Sequence, residues 1–160
     1  MTFLDRLKSR RAELAPEFQD IKGWINSEPL TMRSLQGKVV FLDFWTFGCI
    51  NCINTRPHFR RLYELHKEDQ DFAMIGVHTP EFDYEKDPRN VQRAVAKYEL
   101  HYPCALDSEN ATWKAYGNQY WPRQAIVDAT GVIRYEHVGE GAYAEMELKV
   151  AELLKELREK

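Results

Sequence analysis

At 160 residues and 44% hydrophobic content, the chain is long enough to bury one core without disulfide staples, and a single domain over residues 1–160 is expected. Its 22 basic and 25 acidic residues leave a net charge of −3 with no block of like charge, which excludes the footprint of a nucleic-acid or membrane-surface binder. No stretch reaches the roughly 20 apolar residues of a membrane span, and three cysteines are too few for a disulfide-built secreted scaffold.

Residues 3–14 carry Phe3, Leu4, Leu7 and Leu14 among charged residues, a spacing that predicts a short helix preceding the domain and stopped by Pro16. The opening Met1-Thr2-Phe3-Leu4-Asp5-Arg6-Leu7-Lys8 does not read as a secretory signal, so the chain as written is expected in the cytoplasm. A trimmed signal with an added methionine would read the same and place it outside. Phe18 to Trp24 is expected as an edge strand and Ser27 to Gly37 as a polar connection. Lys38 to Trp45, apolar at nearly every position and rich in β-branched and aromatic residues, predicts a central strand covered on both faces.

A helix follows from Cys49 to about Lys67, with Phe59, Leu62, Tyr63 and His66 on one stripe. Phe72 to His78 predicts a second buried strand and Arg89 to Leu100 a second amphipathic helix, together a βαβ crossover with parallel strands. After a short strand near Cys104 and a helical turn at Ala111 to Tyr116, the stretches Arg123–Asp128 and Val132–Val138 flank the turn Ala129-Thr130-Gly131 and are expected to pair antiparallel. A last helix, about Ala142 to Leu157, presents Met146, Val150, Leu153, Leu154 and Leu157 on one face. Parallel βαβ, hairpin and closing helix predict an α/β fold, a three-layer α/β/α sandwich on a central mixed sheet.

The chemistry is carried by Cys49-Ile50-Asn51-Cys52 directly behind the central strand. Two cysteines two residues apart, at a point where a helix starts, hold a dithiol where thiol-disulfide exchange can occur. A thiolate attacks a disulfide, and unpaired backbone N–H groups with the positive end of the helix dipole favour an anion at the helix start. Cys49 is the expected nucleophile; Cys52, one turn on and more buried, is expected to resolve the mixed disulfide. Asp43 is the only charge between Val39 and Trp45, and strand alternation puts it beside Phe41 and Trp45. A carboxylate there is expected to have a raised pKa and to exchange a proton with Cys52 directly or through one water. Pro57 falls inside the first helix, where it removes a backbone donor. Cys104 reads as a small buried hydrophobe.

These residues carry a family resemblance. Phe41 to Cys52, with Asp43, Trp45 and the paired cysteines, followed by Pro57, resembles the thioredoxin-fold oxidoreductases. Within them the chain resembles the TlpA-like branch and the C-terminal thioredoxin-like domain of DipZ-type membrane proteins, through Asp43-Phe44-Trp45-Thr46, His78-Thr79-Pro80-Glu81, Ala111-Thr112-Trp113, Tyr120-Trp121-Pro122 and Gly139-Glu140-Gly141. The resemblance covers about residues 16–158 and leaves out the N-terminal helix. It implies that Cys49 attacks, Cys52 resolves, Asp43 accepts the proton, and a cis Pro122 packs against the pair while the Trp121 backbone binds an extended substrate peptide. It implies no cofactor beyond a redox-active Cys49–Cys52 disulfide, protein thiols or disulfides as substrates, and a further redox partner. The chain is expected to act as a monomer. Ile50-Asn51 departs from the Gly-Pro that thioredoxin has between its cysteines, which leaves the direction of electron flow open. DipZ-type proteins have membrane helices ahead of this domain, so the resemblance carries no electron donor over.

Further residues divide between function and scaffold. His78, ending a predicted strand, and Glu140, in a glycine-flanked loop, are candidates for tuning Cys49 at the carboxyl edge of the sheet, or a satisfied loop residue and a solvated helix cap. Trp45, Phe47 and Trp121 are candidates for an apolar rim that accepts a flexible protein segment, with core packing the alternative for Trp45. Two other functions are compatible with the residues. Thr46-Phe47-Gly48-Cys49 has the Thr-x-x-Cys spacing of a thiol peroxidase of the peroxiredoxin kind, and Cys49 and Cys52 with His58 or His78 would make a metal-binding module short of the usual four ligands.

Overall fold

The computed structural model describes residues 13–160. The helix expected over residues 3–14 therefore lies outside the described residues except at its end. There Glu13 and Leu14 run beside the chain near Val132: Leu14 forms a β-bridge to Val132, and Ile133 N–H donates to the Glu13 carbonyl at 2.9 Å.

Among the described residues, β1 (Trp24–Ile25), β2 (Val39–Trp45), β3 (Phe72–His78), β4 (Cys104–Leu106), β5 (Arg123–Val127) and β6 (Ile133–Val138) form one sheet in the order β1-β4-β3-β2-β5-β6. β2, β3 and β4 run parallel, while β1, β5 and β6 are antiparallel to their neighbours, so the sheet is mixed as expected. β2 is central because all seven of its residues are apolar or, at Asp43, neutralised within the fold, and every one is buried. The helices are α1 (Ile50–His66), α2 (Pro88–Lys97), α3 (Ala111–Ala115) and α4 (Tyr143–Arg158), with 3₁₀ turns at Arg33–Leu35 and Asp83–Lys86. The β5–β6 hairpin turns through Asp128, whose carboxylate accepts from Thr130 N–H at 2.9 Å and Val132 N–H at 3.1 Å.

Alternation along β2 divides the core. Phe41 and Trp45 face a cluster built with Phe59 and Leu62 of α1, Val91 and Val95 of α2, and Met146, Val150 and Leu153 of α4. Val40, Leu42 and Phe44 face the opposite cluster, made by Trp113 of α3, Tyr116, Met32 and Leu35. The second outer layer is thus thin: one short helix, a 3₁₀ turn and the irregular chain around Phe18 and Leu30.

The edge strand is shorter than the expected Phe18–Trp24. Only Trp24 and Ile25 pair with β4, because the backbone of Gln19 is satisfied elsewhere: the Thr112 hydroxyl accepts from its N–H at 2.8 Å and donates to its carbonyl at 2.9 Å. α2 stops at Lys97 rather than Leu100, where Glu99 turns left-handed (φ 54°) and Leu100 N–H reaches back to the Val95 carbonyl at 3.0 Å. No helix among the described residues is long and apolar enough to cross a membrane.

Candidate active site

β2 delivers the chain to the sheet's carboxyl edge, and the loop Thr46–Gly48 leads into Cys49, which is the N-cap of α1. Cys49 has extended backbone (φ −97°, ψ 116°) and its sulfur accepts from the Cys52 N–H at 3.3 Å, so the thiol takes the place of a capping oxygen. Both cysteines are thiols here, Cys49 half-buried and Cys52 1% exposed. A hydrogen bond from the Cys52 thiol, then the N–H groups of Cys52 and Asn51, pull the Cys49 thiol down to about 7, against burial and the Glu81 charge. Burial drives Cys52 the other way, and its hydrogen bond to the Cys49 sulfur adds to the rise.

Under α1 lies Asp43, fully buried, with its carboxylate Oδ2 at 2.5 Å from Nη2 of Arg56. Burial pushes the Asp43 carboxyl up from the ordinary carboxylate range, and the Arg56 guanidinium pulls it partly back. The expected proton acceptor therefore stands on the same face as Phe41 and Trp45, at the inner side of Cys52, but with an arginine beside it. Arg56, 2% exposed, also donates from Nε to the Cys52 carbonyl at 2.9 Å, from Nη1 to the Tyr102 hydroxyl at 3.2 Å and from Nη2 to Thr55 Oγ1 at 3.0 Å. The sequence offers one signal for it: a lone acid inside an apolar strand needs a partner, and Arg56 lies four residues after Cys52 on the same helical face.

Trp45, for which the sequence offers either the rim or the core, belongs to the core. It is 1% exposed, and the Arg56 guanidinium carbon lies 4.9 Å over its ring. Its place on β2 beside Asp43 puts it under α1 rather than at the mouth of the site. Gly76 on β3 makes room for this arrangement, since a Cβ there would come within 3.0–3.2 Å of Tyr102, Trp45 Nε1 and Cys104 Sγ. Cys104 is fully buried, its thiol pushed up to about 12 by burial and directed to the Tyr102 carbonyl at 3.6 Å.

Trp121 is half-buried, its indole N–H donating to the Thr79 carbonyl at 2.9 Å and its ring stacked 3.9 Å from Trp113. The Trp121–Pro122 bond is cis and Pro122 is buried. His78 is 2% exposed, kept neutral by burial, with its pKa down at about 3. Its Nε2 lies 3.3 Å from Thr46 Oγ1 and 3.4 Å from Phe47 N, and its ring stacks on Phe47 at 5.5 Å. His78 thus supports the loop before Cys49, and the Thr46 hydroxyl of the Thr-x-x-Cys spacing is turned to it. Glu140 is exposed in the loop that begins with Gly139, whose N–H donates to the Pro122 carbonyl at 2.8 Å. Helix α4 is capped by Ala142 without a side-chain bond, so Glu140 is not its cap. His58 stacks on Tyr143 at 3.6 Å.

Glu85 is a site residue that periodicity does not reveal. In the 3₁₀ turn after β3 it is 1% exposed and accepts three backbone N–H bonds, from Gly48 at 2.9 Å with one oxygen and from Glu81 and Phe82 at 2.9 Å with the other. It ties the loop ahead of Cys49 to the loop after β3. Beside the cysteines Ile50, Phe82 and Tyr84 are all more than half exposed, with Tyr84 set edge-on to Phe47 and stacked on Phe82, and Tyr120 next to Trp121 is exposed as well.

Comparison with known proteins agrees with this geometry. The family model described as Redoxin matches residues 11–154. Protein DipZ of Mycobacterium bovis is 44% identical over 147 residues, which are 90% of this chain and 21% of DipZ; the chain spans about a fifth of that relative's length. The thiol-disulfide oxidoreductase ResA of Halalkalibacterium halodurans is 34% identical over 155 residues, 96% of this chain and 82% of ResA. A thioredoxin-like protein solved in its oxidized form superposes with a TM-score of 0.78 at 27% identity, over 91% of this chain and 97% of its own. The α/β architecture is thus the thioredoxin-like fold.

Proposed function

The chain belongs to the Redoxin family, and we propose that its Cys49–Cys52 pair serves as a reductant of protein disulfides. It is a thiol-disulfide oxidoreductase, homologous to ResA over nearly its whole length. The observation that carries this reading is Cys49 at the N-cap of α1, its sulfur accepting from the Cys52 N–H and its thiol lowered to about 7. A thiolate stabilised that little favours the reduced form weakly, as in thioredoxin, where the corresponding value is about 7, rather than in the strong oxidant DsbA, where it is about 3.5.

In this reading Cys49 Sγ attacks a substrate disulfide, a bond forms between it and one substrate sulfur, and the other substrate sulfur leaves as a thiolate. Cys52 then loses its proton to Asp43 and attacks Cys49 Sγ. The Cys49–Cys52 disulfide forms, the second substrate sulfur departs, and two electrons have passed from the dithiol to the substrate. No further cofactor enters. The exposed apolar side chains Ile50, Phe82, Tyr84 and Tyr120, with the Trp121–Pro122 backbone, offer a surface for a flexible segment around the substrate cystine.

Reduction of insulin disulfides with dithiothreitol as electron source tests the activity, and turnover above the uncatalysed rate is expected. Equilibration of the pair with glutathione tests the direction. A potential near about −270 mV is expected, while one near about −120 mV would make the protein an oxidant.

A further inference from the structure

The buried centre of the site holds more than the acid. Asp43 presents two oxygens with different surroundings: Oδ2 is bound by Arg56, whereas Oδ1 is buried with no hydrogen-bond partner among the described residues. The guanidinium that binds Oδ2 is fixed from several sides, by the Cys52 carbonyl, Thr55, Tyr102 and the faces of Trp45 and Phe59. Its orientation is therefore set by the fold and does not depend on Asp43 alone. An arginine keeps its charge at any pH the protein meets.

The other groups packed around Asp43 add no charge of their own near neutrality. Tyr102 and Cys104, from the segment entering β4 and from β4 itself, are pushed up by burial and stay protonated. His78 of β3, near Arg56, stays neutral, and Gln124 of β5, paired with Asp43 in the β2–β5 register, is an amide that also acts to lower the Asp43 carboxyl. Cys52, from α1, is the remaining titratable neighbour. Charges on Asp43 and on Cys52 both act on the Arg56 guanidinium, and a charge on Asp43 raises the Cys52 thiol, so the two acids compete for one counter-charge.

We infer that Arg56 is a positioning residue for the resolving step, the fixed counter-charge for a single negative charge that moves between Asp43 and Cys52. This deepens the proposed function and rests on its assignment of Cys52 as the resolving thiol. Before resolution the charge is on Asp43, paired with Arg56, and Oδ1 is the oxygen that accepts. The Cys52 S–H proton passes to Oδ1, and the electron pair left on sulfur forms the bond to Cys49 Sγ as the bond from Cys49 to the substrate sulfur breaks. The substrate thiolate carries the charge away, and Asp43 afterwards returns its proton to solvent. Throughout the transfer the guanidinium does not move, so the charge shifts without either anion facing an apolar wall unpaired.

The reduced protein mixed with the aryl disulfide dithionitrobenzoate gives a direct test, because Cys49 attack releases one chromophoric thiolate and Cys52 resolution releases a second. The readout is the ratio of the second rate to the first, across pH. In Arg56→Met this ratio is expected to fall about tenfold or more near neutral pH, with the midpoint of its pH profile moved upward, because Asp43 without its counter-charge holds its proton to higher pH. On an Asp43→Asn background the same substitution is expected to change the ratio less than about twofold, since the partner it acts through is gone.

An unchanged ratio and midpoint in Arg56→Met overturn the inference, and so does an equal effect of the substitution with and without Asp43. Where Arg56→Met does not fold, Arg56→Lys serves. It keeps a charge but loses the fork, and is expected to move the midpoint up by less; an unmoved midpoint there overturns the inference equally. Failure of the underlying reading looks different, since the wild type itself would then lack the second release.

Discussion

Cys49 and Cys52 are the same side chain one helical turn apart, and their surroundings push them in opposite directions. Cys49 sits at the rim, where a hydrogen bond from the Cys52 thiol and then the N–H groups at the start of α1 hold a thiolate near neutrality while water reaches it. Cys52 sits in the interior, where burial forbids a thiolate unless another group takes the proton. In the proposed mechanism that group is Asp43, which is buried with Arg56 as an ion pair whose desolvation needs several bonds to offset. A short helical motif thus separates two thiols whose proton affinities move in opposite directions, the difference that the proposed order of attack and resolution uses.

The largest test of that division is to remove each sulfur separately. Cys49→Ser is expected to abolish insulin reduction altogether, and Cys52→Ser to retain the first attack but stall as a mixed disulfide with the substrate. Mass spectrometry of the protein after mixing with a disulfide peptide reads this out, and equal trapping in both variants would break the comparison.

A smaller effect, on stability, comes from the neutral His78 under the loop. Unfolded histidine binds its proton near pH 6.5, whereas the buried His78 does so only at about 3. Between those values the unfolded chain holds more protons, so stability present above pH 6.5 is lost as pH falls, at up to about 1.4 kcal/mol per pH unit. Urea unfolding of the wild type and His78→Gln between about pH 4.5 and 7.5 is expected to show this slope in the wild type relative to the variant. Parallel curves would mean that His78 is protonated in the fold and that the loop is held another way.

Much of this is legible in the sequence, for reasons visible in particular residues. The runs Val39–Trp45 and Phe72–His78 are buried on both faces, so unbroken apolar character marks them as central strands without ambiguity. The helix behind Cys49 and the 123–138 hairpin follow from periodicity and turn chemistry in the same way. The extent of the edge strand is not legible, because whether Gln19 pairs with a strand or with Thr112 is decided by a residue 93 positions away. Nor is the core position of Trp45, since composition does not tell which face of a two-sided strand a helix will cover. Arg56 and Glu85 are hidden for a related reason: a charged residue reads as solvent-facing until the fold supplies the partners that let it be buried.

The least drastic change tests the Cys49 side alone. Gly48 has no side chain, and a Cβ there would run into the Glu85 carboxylate and the Tyr84 hydroxyl. Tyr84 is 56% exposed and can swing aside, but Glu85 is buried and tied by three N–H bonds, so the loop must yield. Gly48→Ala is expected to cost about 1–3 kcal/mol and, by shifting Cys49 off its capping position, to slow iodoacetamide alkylation at pH 7 by about two- to threefold. Adding Tyr84→Phe should recover little of either effect, because the contact that cannot relax is the one to Glu85. Full recovery in that double variant would assign the constraint to the aromatic surface, and the loop would then owe its shape to the face that meets substrate and not to the carboxylate behind it.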